Sequence, residues 1–401
     1  MSPSPQSVEP PKPPLLIALK ELASLFLRLG AVSFGGPAVH IALMEEEVVR
    51  RREWMTREEF LDLLGAANLI PGPNSTEMAI HIGYLRARWL GLIVAGVCFI
   101  VPAMLIVMGL AWGYARVGNI PQVNHLLYGV EPVMVVVVFQ ALWLLGRSAL
   151  KSRLLVGVGL LSAALAFTNV HELAILFGAG GITGGIPWLK EHPKRLLVLL
   201  GTVILCFAGV HYLPVSATPS HEAPLFSLRE MFLAFLRIGS VLYGSGYVLL
   251  AFLRTDFVVR WHWITAKQLL DSIVVGQITP GPVFTTATFI GYLLGGWQGA
   301  LLATLGIFLP AFIFVAMSGP LIPKIRKSKI ARSILDGVNI ASLALMAQVT
   351  WELARVALKD GITIGIAGVS GLLIYRYKAN TLWVLLGGGG IGLLFHSLKI
   401  G

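Results

Sequence analysis

The chain has 401 residues, of which 56% are hydrophobic and only 13% are charged. Soluble domains carry about 25% charged residues, so this composition excludes a soluble globular protein and indicates a polytopic membrane protein with long apolar spans. The net charge of +11 suits loops that face anionic lipid, whereas nucleic-acid binding would require a polar basic domain, which the sequence does not contain.

The first predicted unit covers residues 15–190 and follows a short tail. Residues 1–14 contain six prolines among polar residues, which predicts a disordered cytoplasmic tail. Six apolar elements follow, at residues 22–43, 60–84, 89–114, 125–146, 154–170 and 173–189. Glu131 and Glu172 fall in or beside these elements and are interpreted as residues that cap or flank helices.

A second unit, residues 227–401, repeats the order of the first. A linking region, residues 191–226, precedes it and holds one further apolar segment at 196–213 and a polar linker. The six elements of the second unit lie at residues 227–253, 267–294, 297–319, 334–358, 361–376 and 380–398. The chain is therefore predicted to be an all-α polytopic membrane protein with about 13 transmembrane segments.

The two units correspond residue by residue. The matches include Phe26-Leu-Arg28-Leu-Gly30 with Phe235-Leu-Arg237-Ile-Gly239, Phe34-Gly35 with Tyr243-Gly244, and Trp54-Met-Thr56 with Trp263-Ile-Thr265. The offset between matched positions stays between 208 and 210 residues along the whole unit. A nearly constant offset of this kind identifies a duplicated unit.

Each unit contains a Pro-Gly-Pro motif inside an apolar element. The motif reads Ile70-Pro71-Gly72-Pro73-Asn74 in the first unit and Thr279-Pro280-Gly281-Pro282-Val283 in the second. Two prolines around a glycine cannot continue a helix, because each proline lacks an N–H donor and clashes with the preceding turn. Paired helix breaks at corresponding places of two repeats are the best sequence pointer to a transporter's substrate site, the alternative being two plain kinks without a ligand.

The repeat also predicts how the two units are oriented. Seven crossings before the second unit would place it upside down relative to the first. With the N-terminus in the cytoplasm, twenty Lys and Arg residues fall in cytoplasmic segments and eight fall outside, which agrees with the positive-inside bias. The exception is the connector at residues 50–57, which this scheme places outside. If the first two elements of each unit were re-entrant, that connector would lie inside and residues 254–267 outside, and the sequence leaves this point open.

The helix breaks and two intramembrane arginines predict a site for an anion. A charge at the centre of a membrane helix costs roughly 2.5–3.5 kcal/mol, so such arginines usually serve function, the alternative being that they snorkel to the surface. Arginine's fork of donors suits a multi-oxygen anion, and helix N-termini offer free N–H groups and partial positive charge. The predicted substrate-binding residues are Arg28, Ser33, Gly35, Gly36, Asn74, Ser75, Thr76 and Arg237.

Four residues are candidates for proton coupling, namely Glu77, His81, His40 and Asp62. Glu77 and His81 are four residues apart and therefore share one helix face, and either could titrate near working pH. The alternative is a local hydrogen-bonded pair near the surface, because two arginines follow at once. No cofactor and no metal site is predicted, since both cysteines lie within apolar runs.

A combination of motifs in the first unit resembles a known family. It consists of Arg28-Leu-Gly30, Phe34-Gly35-Gly36-Pro37, the series from Trp54 through Phe60 to Pro71-Gly72-Pro73, and Gly83-Tyr84. Together with the duplication, these motifs resemble the chromate ion transporter family in its long two-domain form, over essentially the whole chain from residue 20. The resemblance implies two oppositely oriented halves in the bacterial inner membrane. The thirteen-span scheme and the Lys and Arg distribution place the N-terminus in the cytoplasm and the C-terminus in the periplasm.

The resemblance further implies export of chromate from the cytoplasm, which gives chromate resistance and is driven by membrane potential or proton exchange. Chromate is a tetrahedral oxyanion like sulfate, and we expect it between the paired breaks, with Arg28 and the helix start at residues 74–76 as ligands. Because Gly36-Pro37 becomes Ser245-Gly246 in the second half, the first half is favoured as the main site. The alternatives are a transporter of sulfate or another oxyanion, an amino-acid exporter, and an intramembrane enzyme. The expected partners are the anion and membrane lipid, and a homodimer is left open.

Overall fold

The computed structural model describes residues 14–34, 36–117, 120–168, 170–191, 226–242, 249–318 and 328–399. Throughout these ranges the regular structure is helical and contains no strand, in agreement with the predicted all-α class. The predicted linking segment at 196–213 and Gly35 of the predicted site lie outside the described residues.

In the described part of the first half there are seven α-helices. They are α1 (Leu15–Val32), α2 (Pro37–Glu45), α3 (Arg57–Ala67), α4 (Asn74–Val117), α5 (Pro121–Ala149), α6 (Arg153–Ala166) and α7 (Glu172–Glu191), and α2 continues into a π-helical segment, Glu46–Arg51. Helix α3 begins at a capping box in which Thr56 and Glu59 satisfy each other's backbone N–H groups. Glu172 opens α7 as predicted, but Glu131 lies inside α5, so the prediction that Glu131 caps or flanks a helix is wrong.

The described helices of the second half follow the same order. They are α8 (Leu228–Val241), α9 (Leu249–Leu253), α10 (Ala266–Ile278), α11 (Thr286–Ser318), α12 (Lys329–Ala357), α13 (Gly361–Arg376) and α14 (Thr381–Lys399). Helix α9 continues into a π-helical segment, Arg254–Arg260, and a 3₁₀ turn, Val283–Thr285, precedes α11. The capping box recurs with Thr265 and Gln268 at the start of α10, so even this local device matches that of α3.

Four helices of the described chain are long and apolar enough to cross a membrane. These candidate spans are Asn74–Val117, Gln122–Arg147, Val283–Ser318 and Ile330–Ala357. Four shorter apolar helices accompany them, at Arg153–Ala166, Glu172–Gly185, Gly361–Arg376 and Thr381–Phe395. A bundle with this many apolar helices is a multi-pass membrane protein.

The chain reverses direction inside α4 and inside α11. In α4 the backbone leaves the helical region at Ala87 and Arg88, and in α11 it does so at Gly295 and Gly296. A Cβ built on Gly83 would meet the Cβ of Ala95 at 2.6 Å, although twelve residues of straight helix span about 18 Å. Each helix is therefore a hairpin, and the arms of α4 are residues 74–86 and 89–117.

The two halves pack against each other through the last three helices of each half. Helix α5 of the first half packs against α13 and α14 of the second, and α12 of the second half packs against α6 and α7 of the first. Glycines allow the close approach, because a Cβ on Gly129 of α5 would overlap the backbone of Gly388. Gly337 of α12 holds the equivalent position against Ala179. Neither half therefore buries its helices alone.

The equivalent helices α5 and α12 run antiparallel. Lys151, just beyond the end of α5, pairs with Asp336 near the start of α12 at 3.4 Å. Lys359, just beyond the end of α12, pairs with Glu131 in the first half of α5 at 3.6 Å. We call the side with the end of α5 and the start of α12 the near end, and the opposite side the far end.

The first connector, residues 46–56, lies beside the start of α1. Arg86, which ends the first arm of α4, donates to Glu21 of α1 at 2.7 Å and lies 4.7 Å above the ring of Trp54 in the connector. The second arm of α4 starts from this point and leads to the start of α5 at the far end. The chain therefore leaves the near end and returns to it twice, through α1 with α2 and through α3 with the first arm of α4, before the second arm of α4 runs to the far end.

The second connector, residues 254–265, lies at the far end. Arg254 pairs with Glu352 near the end of α12. Tyr114, near the end of α4, donates to Asp271 of α10 at 2.6 Å. The first elements of the second half therefore begin from the far end, opposite to those of the first half.

Candidate functional site

The two Pro-Gly-Pro breaks meet through a reciprocal pair of hydrogen bonds. Gly72 donates its N–H to the carbonyl oxygen of Leu242 at 2.7 Å, and Gly281 donates to that of Ser33 at 3.0 Å. Ser33 and Leu242 are equivalent positions that end α1 and α8. Both glycines have positive φ, 143° and 87°, which a side chain would strain. Each break is therefore held by the end of the first helix of the other half.

A cavity of about 370 Å³ lies beside these breaks. A water molecule occupies about 30 Å³ of liquid, so the cavity has room for a small oxyanion that keeps part of its hydration. Both breaks, α2, the end of α5 and the start of α12 contribute to its wall. The lining residues are Pro37, Ala38, Ile41, Asn68, Pro73, Asn74, Ser75, Leu145, Ala149, Lys151, Pro282, Val283, Phe284, Asp336, Asn339, Ser342 and Leu343.

Two helix N-termini bring partial positive charge to the cavity. The N-termini of α2 and α4 both open onto it, at Pro37–Ala38 and at Asn74–Ser75. The first turn of a helix leaves N–H groups without intrahelical acceptors and carries partial positive charge. Lys151 and its ion-pair partner Asp336 also line the wall, and their full charges offset each other in this conformation.

One buried polar group in the cavity wall has no hydrogen-bond partner among the residues that the structure describes. Ser342 is 1% exposed, and its hydroxyl oxygen has no hydrogen-bond partner within the described part of the chain. The amide of Asn74 donates to the side chain of Asn68 at 2.5 Å. Buried polar atoms are normally paired, so an unpaired hydroxyl in this wall is consistent with a polar ligand that enters the cavity.

The structure brings some of the sequence-predicted binding residues to the cavity. Asn74 and Ser75 line it, and Thr76 lies behind them, fully buried, with a hydroxyl that has no partner among the described residues. Gly36 caps α2 with a φ of 79°. The carbonyl of Ser33 accepts from Gly281 and lies 3.1 Å from Nε2 of His40. The predicted helix-break residues shape the same region.

Arg28 and Arg237 lie elsewhere and are held by carboxylates. Arg28 pairs with Glu47 at 2.5 Å, and Arg237 pairs with Asp256 at the equivalent place of the second half. Neither arginine is among the described residues that line the cavity. Each pair instead fastens the first helix of a unit to its π-helical segment. The sequence signal for these ion pairs was an acidic residue at the same position of both units, because Glu47 and Asp256 are separated by the same 209 residues as the two arginines.

The four proton-coupling candidates fall into different environments. Glu77 is fully buried beside the first break, where a Cβ on Gly72 would overlap its carboxylate. Both oxygens of Glu77 and Nε2 of His81 lack partners among the described residues, so the two are not the hydrogen-bonded surface pair that was the alternative. His40 is buried near Ser33, and Asp62 is exposed.

Sequence reasoning missed the part of the cavity wall that comes from α12. Asp336, Asn339 and Ser342 line the cavity from α12, and Lys151 lines it from just beyond the end of α5. These residues approach the first break only because α5 and α12 are antiparallel. In the described ranges, no group of three or more His, Cys, Asp or Glu residues could hold a metal ion.

A multi-pass helical membrane protein with paired broken helices around a cavity that has polar groups in its wall has the architecture of a secondary transporter. The chromate transporter family model matches residues 20–185 and again 229–393. The chain therefore belongs to the chromate transporter family. The double match agrees with the duplication read from the sequence.

Relatives are similar over nearly the whole chain. A chromate transport protein of Cupriavidus metallidurans is 31% identical over 383 residues, covering 95% of this chain and 94% of that protein. A probable chromate transport protein of Synechococcus elongatus is 30% identical over 346 residues, covering 86% of each. An uncharacterized transporter of Bacillus subtilis is 30% identical over 173 residues, which is 95% of its length but 41% of this chain. No solved structure matches the chain.

Proposed function

We propose that this protein exports chromate from the cytoplasm across the bacterial inner membrane and so confers chromate resistance. The observation that carries the proposal is the cavity at the paired breaks, where two helix N-termini and a lysine converge. The names of the relatives, which are transport proteins, support transport rather than catalysis. They also support chromate as the transported anion.

The anion binds at the first-half break. Free N–H groups in the first turn of α4, with the side chains of Asn74 and Ser75, donate to the oxygens of the tetrahedral anion. Lys151 supplies the charge when it exchanges Asp336 for the anion. Arg28 and Arg237 act indirectly in this scheme, because their ion pairs position the helices that present the breaks.

The two halves form an inverted repeat with the near end in the cytoplasm. The antiparallel pair α5 and α12 and the connectors at opposite ends support inversion. The contacts of Arg86 support re-entrant first elements rather than 13 crossings. This topology moves the arginines at positions 50, 51, 52 and 57 inside and Arg254, Arg260 and Lys267 outside, so the positive-inside bias is kept.

Two driving forces act on such a transporter. A dianion leaving a negative-inside cell gains about 4.6 kcal/mol per 100 mV, because each charge is worth about 2.3 kcal/mol. Proton exchange adds to this through Glu77, whose burial without a partner disfavours the charged carboxylate. Movement of the break hydrates Glu77, which then releases its proton.

Sulfate transport is the second candidate function. The cavity offers backbone N–H groups, hydroxyls and a lysine, which recognise shape and charge and would accept either tetrahedral dianion. Initial rates of chromate uptake with increasing sulfate separate the two. Sulfate inhibition with a constant near the chromate KM would favour a general oxyanion transporter.

The test of the proposed function is chromate uptake into everted membrane vesicles, with membrane potential and pH gradient imposed independently. We expect saturable uptake that rises with an interior-positive potential and rises further when the vesicle interior is acidic. Vesicles without the protein are the control. Uptake no greater than in the control under any gradient would contradict the proposal.

A further inference from the structure

A second charged cluster lies at the far end, on the opposite side of the Pro-Gly-Pro breaks from the cavity. Tyr114 donates to Oδ2 of Asp271 at 2.6 Å, and Lys267 donates to the same oxygen at 3.2 Å. Lys267 also donates to the side chain of Asn124, at the start of α5, at 3.3 Å. Lys359 pairs with Glu131 on the adjoining stretch of α5 at 3.6 Å.

Both carboxylates in this cluster are buried, and one is incompletely satisfied. Asp271 is 0% exposed and Glu131 is 2% exposed, whereas both lysines reach solvent. Oδ1 of Asp271 has no hydrogen-bond partner within the described ranges. Buried ion pairs are often no more stable than apolar residues of the same volume. Stability alone therefore does not account for a buried cluster that keeps an unpaired oxygen.

The cluster joins the two halves of the protein. Tyr114, Asn124 and Glu131 belong to the first half, and Lys267, Asp271 and Lys359 belong to the second. Each ion pair or hydrogen bond except Lys267 with Asp271 crosses between halves. Any rotation of one half against the other must therefore break these contacts.

The far-end cluster is the counterpart of the cavity under the repeat. Lys359 is equivalent to Lys151, and Glu131 is equivalent to Asn339, both at an offset of 208 residues. Lys151 and Asn339 line the cavity at the near end. Inverted repeats exchange their conformations when a transporter changes the side to which it opens, so in the opposite opening Lys359 would line a cavity as Lys151 does now.

We propose that Lys267 and Lys359 form a second binding station for the transported oxyanion, on the far side of the breaks. The inference rests on the proposed function and names the exit site of the same path. In the present conformation Asp271 and Glu131 are the ion-pair partners of the two ammonium groups, and Tyr114 donates to Asp271. These contacts close the station. As the halves rotate, the anion replaces the carboxylates as the partner of the lysines and then leaves to the far side.

The experiment compares chromate influx from the two membrane faces. Right-side-out and everted vesicles present one face each, and initial rates give a KM for each face. We expect Lys359→Gln and Lys267→Gln to raise the KM at least fivefold for influx from the far-end (periplasmic) face, measured in right-side-out vesicles. From the near-end (cytoplasmic) face, measured in everted vesicles, the KM should rise less than twofold. Lys151→Gln should show the reverse pattern, and Lys359→Arg should retain most of the wild-type KM.

The controls address folding and general charge effects. Arg229 is exposed at the start of α8, at the same end as the cluster, so Arg229→Gln should change neither KM. A KM change of equal size from both faces in Lys359→Gln and Lys267→Gln, or no change, would overturn the second station while leaving transport itself intact. Absence of wild-type influx from either face would instead refute the proposed function and this inference with it.

Discussion

The two Pro-Gly-Pro breaks share a backbone but differ in chemistry. Gly72 and Gly281 make reciprocal hydrogen bonds to equivalent carbonyls, and α4 and α11 both reverse after the break. The residues that follow are Asn74, Ser75 and Glu77 in the first half, but Val283, Phe284 and Thr286 in the second. The backbone forms two matching breaks, and the side chains make only the first of them suitable for an anion.

The hydroxyl of Thr286 at the second break is already hydrogen-bonded within its own turn. It donates to the carbonyl of Val283 at 2.8 Å, so the polar group is used locally. At the equivalent position, Glu77 has no partner among the described residues. The first break is therefore the proposed site, and the second is the proposed scaffold against which it moves.

The largest expected effect comes from a methyl group at the second break. In Gly281→Ala the new Cβ would meet Ala103 Cβ at 2.6 Å and the carbonyl oxygen of Gly30 at 3.0 Å, at a φ of 87°. Backbone strain and overpacking each cost about 1–3 kcal/mol, and these neighbours cannot move aside. We expect a clear drop in the melting temperature of the purified protein in detergent.

The matched change at the first break, Gly72→Ala, should act differently. Its closest neighbour is the flexible carboxylate of Glu77, which can swing away. The melting temperature should fall less than in Gly281→Ala, while chromate uptake per folded protein should fall more. Equal losses of stability in the two variants would show that the breaks are not divided into site and scaffold.

The next largest effect is expected from Glu77→Gln, which keeps the size of the side chain but removes its proton exchange. Uptake driven by a pH gradient should fall at least tenfold, and uptake driven by potential alone should persist. Thr286→Val is the matched control in the second half, and we expect it to retain at least half of the pH-driven rate. Unchanged pH-driven uptake in Glu77→Gln would remove this residue from the coupling scheme.

A smaller effect is expected from Asn74→Ala, which removes a donor from the cavity wall. A hydrogen bond to a charged group contributes about 1.5–3 kcal/mol, so the KM for chromate should rise roughly tenfold or more. Val283→Ala alters the equivalent position, which also lines the cavity, and should raise the KM less than threefold. A comparable KM in both variants would mean that side-chain chemistry at the first break does not select the anion.

The smallest effect concerns the ion pairs of the two arginines. Glu47 is contacted by Arg51 and Arg52 as well as by Arg28, whereas Asp256 keeps only Arg260, at 3.4 Å, among the described residues once Arg237 is removed. Loss of one partner costs less than leaving a buried carboxylate wholly unpaired, and the cost is larger where fewer partners remain. Arg237→Ala should therefore lower the melting temperature more than Arg28→Ala, as thermal unfolding of the two purified variants can show.

The sequence predicts the features that depend on local chain chemistry. The Pro-Gly-Pro breaks, the duplication and the helix start at Asn74 follow from residue types and spacing alone. The cavity wall from α12 does not, because Asn339 and Ser342 reach the break only through the antiparallel packing of distant helices. The partners of Arg28 and Arg237 were missed for a similar reason, since each ion pair joins two helices through a turn that no periodicity describes. Burial of Glu131 likewise depends on the neighbours that cover α5.

The most direct test of the account measures binding of radiolabelled chromate to the purified protein. We predict one saturable site per chain in the present conformation, in which the far-end station is closed, and binding at least thirtyfold weaker in the double variant Asn74→Ala, Lys151→Gln. The matched double variant Val283→Ala, Lys20→Gln changes the scaffold break and an exposed lysine of α1, and it should bind within threefold of wild type. Equal affinity of the two double variants would contradict the claim that the anion is bound at the first-half break.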